Sequence, residues 1–285
     1  MSLADFERAV LALYSDAGFR RRLRRAPRRE LEAFDLTAHE RQALTELARR
    51  ARELAVFGES LGHKAFARSW GAFPAISTLC AASRNAFRAL FLARYDFRRR
   101  EPDEVLEYFA EFLGAVWDEH LLELPDGFDD LLKYDRLWLR ASRGTAGNSA
   151  SPGAAGSRRR LWYVVAPGVI VSDFTHDVPA ALATPTKTDI PVSPCTLAFA
   201  SDSAGGATVF RLTPALVAVL ERARQPARFD DLVAASAAAV GLQPVPNEFR
   251  VACRAAIEEL SRGRLLVTMA DHASDRSGGR NSATR

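Results

Sequence analysis

The chain has 285 residues, of which 48% are hydrophobic, and a formal net charge of +4 at pH 7. This length suggests two or three domains, each large enough to bury a core. No apolar run approaches the roughly 20 residues of a membrane helix, and the N-terminus lacks a signal-peptide pattern, so we expect a cytoplasmic protein without a membrane partner. The cysteines, Cys80, Cys195 and Cys253, are too widely spaced for a disulfide framework or a zinc cluster.

Residues 1–57 have the pattern of a small helical domain. Apolar residues recur at helical spacing over residues 3–23, Pro27 permits a new helix, and Thr37 with Glu40 three residues later predicts a capping box. This segment, YSDAGFRRRLRRAPRRELEAFDLTAHERQAL, resembles the small helical domain in the accessory subunit of ring-cleaving dioxygenases. The resemblance implies a helical interaction element and does not imply dioxygenase chemistry.

Residues 58–143 predict a second helical domain, for which the resemblance described below implies a partner-docking role. Gly58, Gly62 and Gly71 predict an irregular start at 57–73. The periodicity of the remainder predicts helices over residues 76–95, 103–119 and 128–141.

The middle of this domain carries a second resemblance. The pattern FRALFLARYDFRRREPDEVLEYFAEFL, followed by a proline and LLKYDRLWLRA, resembles the helical domain of HvfC/BufC-type proteins. Those proteins accompany multinuclear non-haem iron oxidative enzymes that modify ribosomal peptides. The resemblance therefore implies such an enzyme as the partner, with the iron in the partner and no cofactor in this chain.

The segment 144–160 is rich in glycine, alanine and serine, which predicts a flexible linker, and the polar tail 271–285 predicts disorder. Between them, residues 161–165 and 169–174 predict two strands around a Pro167-Gly168 turn. We expect these strands to extend the sheet of the domain that follows, with residues 184–194 as the connection.

Residues 161–270 predict a winged-helix-like domain. TLAFAS and ATVFRL form a hairpin pattern, and Thr213 with Pro214 predicts the start of the first of three helices. The second begins near Phe229, the third follows Pro246, and LLVTM predicts a closing strand. The predicted fold class is α+β, mostly α, with N-terminal helical domains followed by a winged-helix-like α/β domain that has a small antiparallel sheet.

This order of elements resembles the PqqD-like peptide-recognition domain. In that family a precursor's leader peptide adds as a strand to the hairpin edge and packs against the third helix, which here are residues 208–212 and 247–260. The predicted peptide-binding residues are Thr208, Val209, Phe210 and Arg211 on the strand, with Arg250 and Arg254 on the helix. The two helix arginines are one turn apart and would meet acidic leader side chains.

The sequence contains no GxSxG, HExxH or CxxC motif and no phosphate-binding glycine loop, so we expect no catalytic residue. The segment VSDFTHDV places Asp173, His176 and Asp177 close together. A regular strand would put Asp173 and His176 on opposite faces, and we therefore expect no metal site.

These patterns predict a non-catalytic protein that holds a precursor peptide and presents it to an iron-dependent oxidative enzyme. One alternative is a winged-helix DNA-binding regulator, but the third helix carries Glu248, Glu258 and Glu259, which argues against a nucleic-acid partner. A second alternative is an accessory subunit of a dioxygenase-like enzyme, which predicts iron in the purified protein.

Overall fold

The structure, a computed structural model, describes residues 3–95, 101–144, 161–185, 189–202 and 204–270. The predicted linker beyond residue 144 and the predicted tail 271–285 lie outside these ranges. No helix in the described part of the chain has both the length and the apolar character needed to cross a membrane.

The chain divides into two compact units. One comprises Met1–Leu132 with Thr184–Thr188, and the other comprises Lys133–Ala183 with Asp189–Arg285. The described residues are mostly helical and include two small antiparallel sheets, both in the second unit. This confirms the predicted α+β, mostly α fold class.

The first unit is built from helices. Their bounds are α1 (Leu3–Ser15), α2 (Ala17–Arg25), α3 (Pro27–Leu31), α4 (Ala38–Arg49), α5 (Ala51–Ala72), α6 (Pro74–Leu79), a 3₁₀ turn (Ala81–Ser83), α7 (Arg84–Arg94), α8 (Pro102–Asp118) and the start of α9 (Phe128–Arg143). The predicted capping box at α4 is present, since the Thr37 N–H donates to Glu40 Oε2 at 2.7 Å and the Glu40 N–H donates to Thr37 Oγ1 at 3.2 Å. Leu13, Leu23 and Leu44 are buried together in the core of α1–α4.

The prediction of an irregular segment at residues 57–73 is wrong, because α5 continues unbroken to Ala72. Phe66 and Trp70 lie one turn apart on its buried face, with ring centroids 5.5 Å apart. Burying two such rings stabilises the helix by several kcal/mol, whereas each helical glycine costs about 1 kcal/mol relative to alanine. Packing of the aromatic face therefore outweighs the glycines.

The prediction of one helix over residues 76–95 is also wrong. Helix α6 ends at Leu79, and Cys80 adopts a non-helical backbone conformation before the 3₁₀ turn and α7. The hydroxyls of Ser77 and Thr78 both donate to the Pro74 carbonyl, at 3.2 and 2.7 Å. Such side-chain bonds to the backbone compete with helix propagation, which accounts for a short first helix.

We expect Ser69→Ala to raise the free energy of unfolding by about 1 kcal/mol, because it removes a buried polar group and leaves no large cavity. The Ser69 hydroxyl is fully buried in α5 and has no hydrogen-bond partner among the described residues. Urea denaturation would measure the change. The matched control is Ser60→Ala on the exposed face of the same helix, because it brings the same gain in helix propensity without removing a buried hydroxyl. Equal stabilisation by the two substitutions would contradict a cost of burying the hydroxyl.

The described residues of the second unit comprise the remainder of α9, five strands and four further helices. Their bounds are β1 (Leu161–Val165), β2 (Ile170–His176), α10 (Val178–Ala183), β3 (Val192–Ser201), β4 (Ala207–Leu212), α11 (Pro214–Arg222), α12 (Phe229–Ala239), α13 (Asn247–Arg262) and β5 (Leu266–Ala270). One sheet has the antiparallel order β2-β3-β4, and the other pairs β1 with β5.

The predicted Pro167-Gly168 turn is present, since the Val169 N–H donates to the Ala166 carbonyl and Gly168 has φ +81°. As predicted, β2 extends the hairpin sheet. Strand β1 does not join it and instead pairs with β5, while Tyr163 and Ala227 exchange backbone hydrogen bonds of 2.8 and 3.0 Å on its other side. The two predicted strands therefore belong to different sheets.

The β2-β3-β4 sheet, which we call the main sheet, is covered on both faces. Ala198 and Ala200 face the helices of the unit and share a buried core with Ile257 of α13. On the opposite face Phe199 contacts Tyr134 of α9, with ring centroids 5.3 Å apart. Helix α9 from Lys133 onward thus packs in the same unit as the sheet.

Candidate functional site

Strand β4 is an outer strand of the main sheet. Its described residues pair with β3, in a register that joins Phe199 to Val209 and Ala198 to Phe210, and they pair with no other strand in the described part of the chain. Four of the predicted peptide-binding residues, Thr208 to Arg211, lie on this strand. The structure therefore places them on an edge that a further strand can join.

The hairpin geometry shows which backbone groups of β4 point outward. The Asp202 N–H donates to the Gly206 carbonyl at 3.0 Å, next to the turn. Because hydrogen-bonded and non-hydrogen-bonded pairs alternate in an antiparallel ladder, Thr208 and Phe210 bond to β3. The N–H and C=O groups of Val209 and Arg211 consequently point to the open edge.

The side chains of β4 alternate between the two faces of the main sheet. Phe210 lies on the helical face, partly buried, and packs against the core that includes α13. Its ring tip stands so close to Gly263 that a Cβ atom added there would collide with three ring carbons. A residue without a side chain at position 263 thus permits the close approach of β4 to the end of α13.

Arg211 lies on the other face and forms an ion pair with Asp177, whose carboxylate is buried. Asp177 also accepts a 3.0 Å hydrogen bond from the Ala180 N–H and so caps α10. Burial raises the pKa of Asp177, but the hydrogen bonds from Arg211 and Ala180 outweigh it and hold the pKa below its usual value. Arg211 therefore ties the edge strand to α10.

The predicted helix contacts, Arg250 and Arg254, lie on a different flank of α13. Arg250 pairs with Asp230 at 2.8 Å, and the Arg254 guanidinium lies 4.6 Å from the centre of the Phe229 ring, so both contact the start of α12. Gly263 follows Arg254 by nine residues, which at about 100° per residue is half a turn around the helix. The structure does not bring these two arginines to β4.

The stripe of α13 that ends at Gly263 carries residues that the sequence patterns did not single out. Ala252, Ala256 and Glu259 precede Gly263 by eleven, seven and four residues, which places all four on one stripe of the helix. Ala252 and Glu259 are exposed and Ala256 is half-buried. The helical period would have identified this stripe once the contact between Phe210 and Gly263 was known.

The segment VSDFTHDV is not a regular strand, since the register of β2 shifts between Phe174 and His176. The expectation that a regular strand places Asp173 and His176 on opposite faces therefore does not apply across this shift. The Asp173 carboxylate accepts a 2.6 Å hydrogen bond from the Thr196 hydroxyl. The expectation that this chain holds no metal stays a prediction.

The candidate site is thus the open edge of β4, which offers backbone donors and acceptors, with the contact between Phe210 and Gly263 at the end of α13 beside it. No protein-family model matches this chain, and a search of curated proteins finds no match.

Proposed function

We propose that the protein is a non-catalytic partner in the maturation of a ribosomally made peptide, and that it binds the leader of the precursor at the edge of β4. The observation that carries this proposal is the outward direction of the Val209 and Arg211 backbone groups on an outer strand. An added strand obtains affinity from such groups and specificity from the side chains beside them.

The surroundings of the edge suit an extended peptide. Leader side chains that point to the helical face would lie beside Phe210, near its contact with Gly263. Those on the other face would lie beside Val209 and Arg211. Contacts with Arg250 and Arg254 stay a prediction, and they would require leader residues that reach the flank of α13 facing α12.

In this proposal the helical domain predicted at residues 58–143 docks a multinuclear non-haem iron oxidative enzyme in the cytoplasm. The iron belongs to that enzyme and supplies the oxidative chemistry there. This chain would contribute effective concentration, since a tethered leader presents the core peptide to the enzyme as a nearly intramolecular substrate. The support for the enzyme partner is the resemblance of the helical segment to HvfC/BufC-type proteins.

We expect Val209→Pro to weaken leader binding by at least about tenfold while the protein stays folded. Proline removes the outward N–H of residue 209 and leaves the hydrogen bonds to β3 intact, and an edge strand tolerates it on that side. The precursor peptide is first obtained by co-purifying the tagged protein with the products of neighbouring genes. Isothermal titration calorimetry then compares the affinity of wild type and of Val209→Pro for the leader of this precursor. Val209→Ala, which retains the N–H, is the matched control.

Unchanged leader affinity in a folded Val209→Pro variant would contradict strand addition at β4. Salt-dependent binding of duplex DNA in place of a peptide would favour the winged-helix regulator. We do not propose that function, because Arg250 and Arg254 are engaged with α12 and Glu259 lies on the opposite flank of α13. Iron in the protein purified alone would favour the dioxygenase-like accessory subunit.

A further inference from the structure

A groove of about 410 Å³ lies between α3 and α4 in the first unit. Its floor is formed by the buried Leu31 with Pro27 and Thr45. Three arginines stand around this floor, Arg28 on the α3 side and Arg41 and Arg49 on the α4 side. We call this feature the arginine groove.

The three guanidinium groups of the groove make no ion pair and no hydrogen bond to any described residue. Other arginines in the same part of the chain are used within the fold. Arg20 donates to the Leu13 and Tyr14 carbonyls, and Arg22 pairs with Glu30 at 3.0 Å. The groove therefore presents cationic donors that the fold itself does not employ.

One acidic side chain also lines the groove. Glu46 accepts a 3.1 Å hydrogen bond from the Gln42 amide and lies on α4 between the levels of Arg41 and Arg49. It adds a negative charge near the centre. The groove is therefore cationic at its two ends and unfavourable to an anion between them.

The spacing of the arginines indicates the shape of the ligand. Arg41 and Arg49 are eight residues apart on α4, which corresponds to about 12 Å along the helix axis. A single phosphate is too small to meet both ends. In an extended peptide, side chains four residues apart point to the same side and are separated by about 13 Å.

We propose that the arginine groove binds an extended acidic segment of a partner polypeptide, with two carboxylates four residues apart and an apolar side chain midway. The carboxylates pair with Arg41 and Arg49, where the planar guanidinium favours bidentate contact. The apolar residue lies over Leu31, and Arg28 contacts the peptide from the other wall. This site is in the first unit and does not depend on the leader site at β4.

The test uses the full chain and a fluorescein-labelled peptide, GESLSEG, whose two glutamates and central leucine share one side when extended. Fluorescence anisotropy at fixed ionic strength compares it with GQSLSQG and GESESEG. We expect both comparison peptides to bind at least about tenfold more weakly, because one lacks the carboxylates and the other brings a charge against Glu46. Arg41→Gln and Arg49→Gln should each weaken binding of GESLSEG by about tenfold.

Arg21→Gln, an exposed arginine on α2 that does not line the groove, is the matched control and should bind as wild type does. Thermal unfolding of each variant verifies the fold. No binding of GESLSEG, equal binding of GQSLSQG, or unchanged affinity in the groove variants would overturn the proposal. Displacement of the peptide by inorganic phosphate, beyond that by chloride at equal ionic strength, would make the groove a compact-anion site and would also overturn it.

Discussion

Tyr134→Ala is expected to lower the free energy of unfolding of the second unit by about 3–5 kcal/mol. Tyr134 is 7% exposed, and its ring lies 5.3 Å from that of Phe199 and 6.3 Å from that of Phe174, measured between centroids. Removing the ring leaves a cavity between α9 and the main sheet that the fully buried Phe199 cannot fill. Hydrogen exchange of the β3 amides, followed in the full chain, measures the loss.

Tyr134→Phe is the matched control because it keeps the ring, and we expect it to cost about 1 kcal/mol or less at neutral pH. A loss with phenylalanine as large as that with alanine would contradict a packing role. Small losses with both would show that α9 does not support the sheet.

Wild type and Tyr134→Phe are expected to differ in how their stability depends on alkaline pH. Burial, with a further contribution from the charge of Asp135, raises the pKa of Tyr134 to about 12. Because the folded pKa lies above the unfolded value of about 10, the phenol's contribution is complete below about pH 10 and is lost as the pH rises toward 12. Urea titrations across that range should show a loss of stability that is smaller in Tyr134→Phe than in wild type.

Asp177→Asn is expected to lower the free energy of unfolding by about 2 kcal/mol at neutral pH, because it weakens the charge-assisted bonds from Arg211 and the Ala180 N–H. The folded pKa of Asp177 is lowered from 3.8. Its contribution is therefore present above about pH 4 and is lost as the pH falls through the folded pKa. The difference between wild type and variant should shrink in acid, as measured by urea midpoints.

The interaction between Asp177 and Arg211 is isolated by a double-mutant cycle with Arg211→Gln. We expect the sum of the two single losses in unfolding free energy to exceed the loss in the double variant, because each single substitution already removes the same ion pair. Strict additivity would contradict the coupling. A coupled pair would mean that the Arg211 side chain holds the edge strand in place, while its backbone groups remain available to a peptide.

Elements defined by local chemistry were predicted well from the sequence. Thr213 caps α11 as expected, with its hydroxyl accepting from the Leu216 N–H, and α12 and α13 begin at the predicted positions. The hairpin of β3 and β4 also follows its predicted pattern. The residues that define each of these caps and turns lie within a few positions of one another, so the local sequence specifies them without tertiary contacts.

Features that depend on packing were not predicted. The pairing of β1 with β5 joins residues about a hundred positions apart, and the turn at Gly168 carries no information about it. Likewise, the sequence shows that α13 is amphipathic but not which flank borders β4. That depends on Phe210 meeting Gly263, and for this reason the two predicted helix arginines lie on the flank that faces α12.

The open edge of β4 also bears on solubility. An outer strand with free backbone groups can join the same strand of a second copy, which is a common route to aggregation. Strand β4 is only six residues long and carries Arg211, and both properties oppose such self-association. A bound peptide would occupy the same backbone groups. If the edge binds a leader as proposed, self-association should be strongest when the protein is produced without that peptide.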